Sequence, residues 1–341
     1  MPAGPAIGLL GDVMLGRGVA TRLASARPEE LWSPRLRALC ASLDLVVCNL
    51  ECCISARGEP TRRMPGKPFF FRGPPSAVDA LAALGVRAAG LANNHALDFD
   101  EDALADTLAA LGAAGIATAG AGRGRDAARR GAVVAAGDLT VGLVAVTDHP
   151  AEYAAGPVSW GTAYAPLHRV APAWLRDELA RLRACCDVVI AFPHWGPNMT
   201  VRPAEWQRAR AAELQDAGAD LVAGHSAHVF HGVGWTAAGA VLYDLGDAID
   251  DYMIDPVLRN DLGVLAIWRP RAPAAERLEL VGLRLGYAFT GLARGGDADW
   301  IAARLRDACA PLGTVVERVG EERFRVTAAS LPDRPDGISI E

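Results

Sequence analysis

Five short apolar runs in this chain stop abruptly at carboxylate, carboxamide or imidazole side chains, each set beside Gly, Pro or Asn. That pattern is the strongest constraint on the fold, because open α/β sheets bind ligands outside the carboxyl ends of their strands, where such residues collect. AIGLLGDVMLGR ends its run at Asp12, with Gly11 and Gly16 allowing a close turn; DLVVCNLE delivers Asn49 and Glu51; RAAGLANNHALDFD delivers Asn93, Asn94, His95 and Asp98. DVVIAFPHWGPN places His194 two residues after its run, and ADLVAGHSAHVFHGV delivers His225, His228 and His231. Taken singly, an Asp or Asn after a strand is more often a turn former or a helix N-cap. Together, five of the seven histidines sit in such loops, and a set of oxygen and imidazole donors needing no thiolate suits a borderline divalent metal.

Apolar runs alternate with Ala- and Leu-rich stretches of helical period, which is the signature of an α/β protein. Strands are expected at Ala6–Asp12, Leu43–Asn49, Val86–Leu91, Ala132–Ala136, Val141–Thr147, Asp187–Phe192, Asp220–Ala223, Ala240–Tyr243, Gly263–Trp268 and Leu278–Leu285. Helices are expected at Pro28–Ser42, Ser76–Leu84, Glu101–Ala114, Ala171–Ala184, Pro203–Ala217 and Ala298–Ala310. Residues after Ala240 are strand-rich, so the expected architecture is a mixed two-sheet α/β sandwich flanked by helices, since a purely parallel sheet would keep alternating to the end. No composition break divides the chain, so residues 1–330 read as one domain, with the polar, Pro-containing 331–341 as a fraying tail.

Hydrophobic residues at 51% exclude extensive disorder, and a net charge of -6 argues against nucleic acid as a partner. No apolar run approaches the roughly 18–20 residues of a membrane helix, and no leader pattern is visible, so the expectation is a cytoplasmic protein without a membrane partner. Seven cysteines without CxxC spacing read as small apolar fillers in a reducing compartment.

The ordered motifs GDVMLGR, NLE, NNHALD, HWG, GHSAHV and YDLGD, spread from Ile7 to Asp251, resemble the CapA family of poly-γ-glutamate capsule synthesis proteins, a branch of the calcineurin-like metallophosphoesterase superfamily. FRGPP at Phe71–Pro75 is similar to the family's loop. The resemblance implies a metallophosphoesterase-like fold and one or two divalent ions, with Mn, Zn, Fe and Ca all open. It implies Asp12, Glu51 (as the bridging carboxylate), Asn94, His194, His225 and His228 as metal ligands, with Met14 where the superfamily has a histidine. It further implies His95 as an acid/base group that does not bind metal. Asp98 then fixes the His95 tautomer, or is only an acidic residue favoured at a helix start.

Three departures from the family pattern stand out: Ser226 within GHSAHV, His231 where glutamine is usual, and YDLGD in place of YSLGN. The last adds Asp244 and Asp247 to a run of acids with Asp250, Asp251 and Asp255, which reads either as a solvated loop with capping acids or as a cation ligand or general base at Asp247 or Asp244. Opposite in sign, Arg57, Arg62, Arg63, Lys67 and Arg72 stand against Glu59 alone, a net +4. With Arg17 they form a candidate binding surface for a carboxylate or phosphate, while Phe69, Phe70 and Phe71 anchor the loop.

The functional expectation is a metal-dependent enzyme acting on a peptide or γ-glutamyl substrate through a metal-polarised carbonyl, with His95 assisting as proton donor. The alternatives are a peptide epimerase of the kind that matures ribosomal (lasso) peptides, exchanging an α-proton between groups drawn from Asp12, His95, His228, His231 and Asp247; a phosphoesterase, against which Met14 counts; and a noncatalytic assembly factor. Oligomeric state is left open.

Overall fold

The computed structural model describes residues 4–329, so the expected tail at 331–341 lies outside the described residues. Two large sheets form the architecture. The first runs in the order Thr314–Arg318, Arg323–Ala328, Leu278–Gly286, Leu262–Trp268, Ile7–Val13, Leu45–Leu50, Val86–Gly90, Ala117–Ala119, with Asp247–Ile249 beside Ile7–Val13 and Phe289–Leu292 beside Leu278–Gly286. It is parallel from Ile7–Val13 to Ala117–Ala119 and antiparallel on the other side. The second runs Val233–Trp235, Ala240–Leu242, Leu221–Ala223, Val188–His194, Leu139–Thr147, Ala132–Ala136, parallel in the middle and antiparallel at both edges.

Alternation along each strand explains the layering. Ile7, Leu9, Leu45, Val47 and Ala88 face one core together with Val141, Leu143, Ala145, Ile190, Phe192 and Leu221 of the second sheet. Their neighbours Leu10, Val46, Cys48 and Ala89 face the other way, against helices Pro34–Ala41, Ala77–Ala83 and Asp100–Ala113. Val144, Val146, Val189, Ala191 and Val222 likewise pack on helices Ala173–Arg183 and Glu205–Asp216. Central strands buried on both faces need unbroken apolar sequence, and this is why the runs end so sharply in polar residues. The result is the mixed two-sheet sandwich flanked by helices that the sequence leads one to expect.

The expected helix Pro28–Ser42 is broken. A 3-10 turn at Pro28–Leu31 gives way to extended residues, and a new helix starts at Pro34 with the Ser33 hydroxyl accepting from the Leu36 amide at 3.2 Å. Proline disfavours helical geometry in the residue before it, so the run divides there. The helix at Arg17–Leu23 and the antiparallel pair Thr314–Arg318 and Arg323–Ala328 were not expected. All seven cysteines are free, and six are buried, in keeping with their reading as fillers. Among the described residues no helix is long and apolar enough to cross a membrane.

Candidate metal centre

Register brings the polar strand ends into line. Asp12 is paired across the sheet with Asn49 on one side and Asp247 on the other, and Gly11 permits the approach, since a Cβ there would sit 1.9 Å from the Gly246 carbonyl oxygen. From the second sheet, His194 and His225 meet through an isolated bridge between their strand ends. The following loop turns tightly, with Ser226 at φ 114° and His228 at φ 59°, left-handed conformations that non-glycine residues rarely hold. Asp244 fixes this loop by accepting from the Ala227 and Gly246 amides, both at 2.8 Å. The loop therefore presents His225 and His228 inward.

Two donor groups result, and Asp12 belongs to both: Asp12 with His194 and His225, and Asp12 with Glu51, His228 and Asp247, the ligand atoms of each group lying within 4.8 Å of one another. Asp12 Oδ1 is 3.3 Å from His225 Nδ1 and 3.8 Å from His194 Nδ1, while its Oδ2 is 3.6 Å from His228 Nδ1. His228 Nδ1 lies 2.8 Å from Asp247 Oδ1 and 3.9 Å from Glu51 Oε2, and His194 Nε2 lies 3.9 Å from Glu51 Oε1. Asp12 belongs to both groups, and Glu51, expected as the bridging carboxylate, also faces both, with Oε2 toward His228 and Oε1 toward His194. Met14 offers nothing to either group: it is buried in the core, and its Sδ accepts from the Gly16 amide.

These residues suit a cation. Glu51 Oε1, Asp247 Oδ2 and His225 Nε2 are buried without a hydrogen-bond partner, and an unmet buried polar atom costs about 1–3 kcal/mol. Burial, reinforced by the Asp12 charge, pushes the Glu51 carboxyl well above its usual range; burial also raises Asp247. Asp12 goes the other way: burial alone would raise it, but hydrogen bonding and charge from His225, the charge of His228 and a hydrogen bond from Asn49 outweigh that penalty and lower it. Burial drives His194 well below its ordinary value, with His225 adding to the effect. Carboxylates this close and this dry need positive charge, and an oxygen–imidazole set is the ligand chemistry of Mn, Fe, Zn and similar ions.

His95 stands beside the cluster. Its Nδ1 is 2.5 Å from Asp98 Oδ2, its ring stacks on Phe71 with centroids 3.8 Å apart, and burial pushes its pKa down to about 4. A neutral ring that donates Nδ1–H to Asp98 has Nε2 as its acceptor atom. Asp98 is not merely a helix-start residue: it is fully buried and also accepts from the Phe71 amide at 2.6 Å, the Tyr153 hydroxyl at 3.1 Å and Lys67 Nζ.

The remaining candidates separate. Asn94 gives its carbonyl to Lys67 and keeps Oδ1 buried and unpartnered, whereas Asn93 is wired in, donating to Asn49 Oδ1 at 3.1 Å while Asn49 donates to Asp12 at 2.7 Å. The basic loop does not form one anion-binding face. Arg63 pairs with Glu101 at 2.7 Å, Arg57 pairs with Asp106, Arg72 donates to the Arg57 and Gly58 carbonyls and covers the Phe99 ring, and Arg62 is exposed. Those acids belong to the helix Asp100–Ala113, whose sequence was read only for its period. Arg17 and Lys67 do reach the site, and both are paired, with Asp251 at 3.2 Å and with Asp98. His231 does not join it: its Nε2 donates to the Thr200 carbonyl at 2.9 Å. Nor are the acids after Asp244 solvated as a group, since Asp244, Asp247 and Asp250 are buried; capping is confined to Asp244 and Asp250 among these and to Asp255, which accepts from the Val257 and Leu258 amides. Two residues were missed. Tyr252 places its hydroxyl 3.5 Å from Glu51 Oε2, and His149, held by Asp148, packs 5.2 Å from the His194 ring. The same signal found in the other five runs was present for His149, which follows the strand Leu139–Thr147 in TDHP.

Two cavities flank His95, and one of them reaches the cluster at His228. One of about 350 Å³ is lined by His95, His228, Tyr252 and apolar residues, the other, of about 480 Å³, by Lys67, Asn94, His95 and His149; Phe69, His95 and Asn198 line both.

Residues 6–252 match the family model described as bacterial capsule synthesis protein PGA_cap. The chain is 30% identical over 372 residues to a probable polyglutamine synthesis accessory protein of Mycobacterium tuberculosis, covering 95% of this chain and 93% of that one. It is 24% identical over 250 residues to the capsule biosynthesis protein CapA of Bacillus anthracis, covering 71% of this chain and 59% of that one. Among solved structures it is similar to the sulfate thiohydrolase SoxB of Thermus thermophilus, at 12% identity and a TM-score of 0.44, covering 91% of this chain and 61% of that one. With most of its length matched by the family model, and with the strand-end motifs of that stretch folded into one buried cluster, the chain belongs to the bacterial capsule synthesis protein PGA_cap family.

Proposed function

We propose that this protein is a metal-dependent enzyme acting at the carbonyl of a peptide or γ-glutamyl substrate. The observation that carries the reading is the adjacency of two parts: buried ligand groups sharing Asp12, and the His95–Asp98 pair in the wall common to both cavities. Asp12, Glu51, His194, His225, His228 and Asp247 would hold a divalent cation, which would supply Lewis acidity toward a carbonyl oxygen. His95 takes a proton at Nε2 while Asp98 holds its tautomer and balances the charge that forms. Lys67 pairs with Asp98, and Phe71 stacks on one face of the imidazole.

Hydrolysis is the first reading, and the names of the relatives, polyglutamine synthesis accessory protein and CapA, support a γ-glutamyl or peptide chain as substrate. One feature favours a second reading, epimerisation: His228, paired with Asp247, lines the same cavity as His95, so two His–Asp pairs border one space. Phosphoester cleavage draws no support from Met14, which faces the core.

Incubation of metal-loaded protein with candidate peptides in deuterated water tests all three. New termini identify hydrolysis, deuterium at an α-carbon without cleavage identifies epimerisation, and phosphate release from an ester restores the third reading. A purified chain that takes up no divalent metal after reconstitution sinks the proposal as a whole.

A further inference from the structure

The cavity of about 350 Å³ beside the cluster has an apolar rim. Phe69, Met199 and Met253 line it and are 55%, 37% and 91% exposed. Ile254 and Tyr287, also exposed, border a neighbouring pocket that shares Tyr252 and Asn260 with it, and exposed Val257 lies on the same loop. Elsewhere on the described surface the exposed large hydrophobics are valines at scattered positions: Val133, Val158, Val170, Val315 and Val319. A concentration of Met and aromatic side chains at the mouth of a site is a recognition surface, because such groups lose free energy in water and adapt their shape to what covers them.

The charges around this mouth disfavour a polyanion. Arg17, the cation lining this cavity, is paired with Asp251 and lies over the rings of Phe69, Phe71 and Tyr252 at 5.3, 5.7 and 5.9 Å. Lys67, the cation lining the second cavity, is paired with Asp98. Behind both lie the buried carboxylates of Asp12, Glu51, Asp247 and Asp250. A γ-linked glutamate chain brings one carboxylate per residue, and each would meet spent cations and desolvating apolar walls, which is costly without a partner.

We propose that the apolar cavity takes a large apolar side chain of a peptide, so that the substrate is a peptide carrying such a residue next to its reacting carbonyl and not a γ-linked glutamate polymer. The inference rests on the metalloenzyme reading above for its reacting carbonyl, and on the rim for its specificity.

Equilibrium binding to the metal-loaded full chain tests it, with fluorescently labelled Gly-Gly-Xaa-Gly-Gly peptides (Xaa Phe, Leu, Ala or Asp) and a γ-linked tetraglutamate as probes. The Phe and Leu peptides are expected to bind about tenfold or more tightly than the Ala peptide, and tetraglutamate more weakly than either. Met253→Asp, at a side chain too exposed to matter for folding, should erase most of that preference while metal content stays at the wild-type level. Val133→Asp, at an exposed valine on the edge strand Ala132–Ala136, should leave it intact. Tetraglutamate binding as tightly as the Phe peptide, or a preference indifferent to Met253→Asp, overturns the proposal. So does sedimentation showing that Met253→Asp only dissociates a dimer, since a second copy of the chain would then be what covers the rim. Absence of metal uptake counts against the metalloenzyme reading; absence of the apolar preference in a wild-type chain that does take up metal counts against this inference alone.

Discussion

His95 and His228 are each bound through Nδ1 to a buried aspartate, at 2.5 Å from Asp98 and 2.8 Å from Asp247, and both line one cavity, yet their pKa values are pushed in opposite directions. Burial pushes His95 down to about 4. His228 is just as buried, but the charges of Asp247, Glu51 and Asp12 together overcome that penalty and raise it well above the ordinary imidazole value. The difference lies one contact further out. Asp98 spends its charge on Lys67, Tyr153 and the Phe71 amide, whereas Asp247 keeps one oxygen unpartnered and sits beside two more carboxylates. A His–Asp pair therefore does not fix its own pKa: burial holds His95 down with Lys67 adding to the effect, whereas the carboxylates around His228 outweigh the same burial.

The strongest way to break this contrast is to remove the cation. Lys67→Met leaves buried Asp98 without its ion-pair partner, a change that costs about 3–5 kcal/mol, read from denaturant unfolding. Lys67 also helps hold the His95 pKa down, so the imidazole should titrate at a higher pH in the variant, as followed by NMR. An unmoved His95 would show that Lys67 is not what separates the two pairs.

Asp12→Asn attacks the other pair. It removes the one carboxylate common to both donor groups, so divalent metal affinity should fall by more than about 100-fold, or about 2.7 kcal/mol, measured by metal titration with competing chelators. In the metal-free state the His228 pKa should drop, because one of its three raising charges is gone. Retained affinity would mean that Asp12 is not a ligand.

The two pairs also bend stability against pH in opposite directions. The folded His95 pKa of about 4 lies below its ordinary 6.5, so the unfolded chain binds this proton first as pH falls. The contribution of His95 is complete above pH 6.5 and is lost between about 6.5 and 4. His228, raised when folded, contributes fully below 6.5 and loses that contribution as pH rises through its folded value. Comparing denaturant midpoints of metal-free wild type and His95→Gln from about pH 4 to 6.5 should show a shallower acid slope in the variant, on the order of 2 kcal/mol across the window. Parallel curves would place His95 near its ordinary value.

Much of this site was legible because two-sided burial demands unbroken apolar runs, which makes the polar residues after them conspicuous: Asp12, Glu51, His194, His225 and His228 all come from such run ends. What was not legible depends on partners far away in sequence. The sharing of Asp12 arises from the register that sets Asp247 opposite it, 235 positions later in the chain (247 − 12). The fate of the basic loop depends on a helix far along the chain, since Arg63 finds Glu101, and the break at Ser33 went unnoticed because the apolar period continues across Pro34. The edge strands after Thr314 are half exposed and so lack a long apolar run.

The smallest expected effect sharpens the line between the buried lysine and the arginines around it. Arg63 has a side chain 29% exposed and pairs with Glu101 and Asp100, which are 39% and 49% exposed. Exposed pairs of this kind are worth no more than about 1 kcal/mol, so Arg63→Ala should lower stability slightly and leave metal content and peptide affinity within about twofold of wild type. If the loop instead held an anionic substrate through a guanidinium fork, the same substitution would weaken binding of an acidic peptide by about tenfold or more while barely changing stability. The split between those two readouts decides whether the positive loop is a clamp on its own helix or a contact for substrate, and the pairing distances favour the clamp.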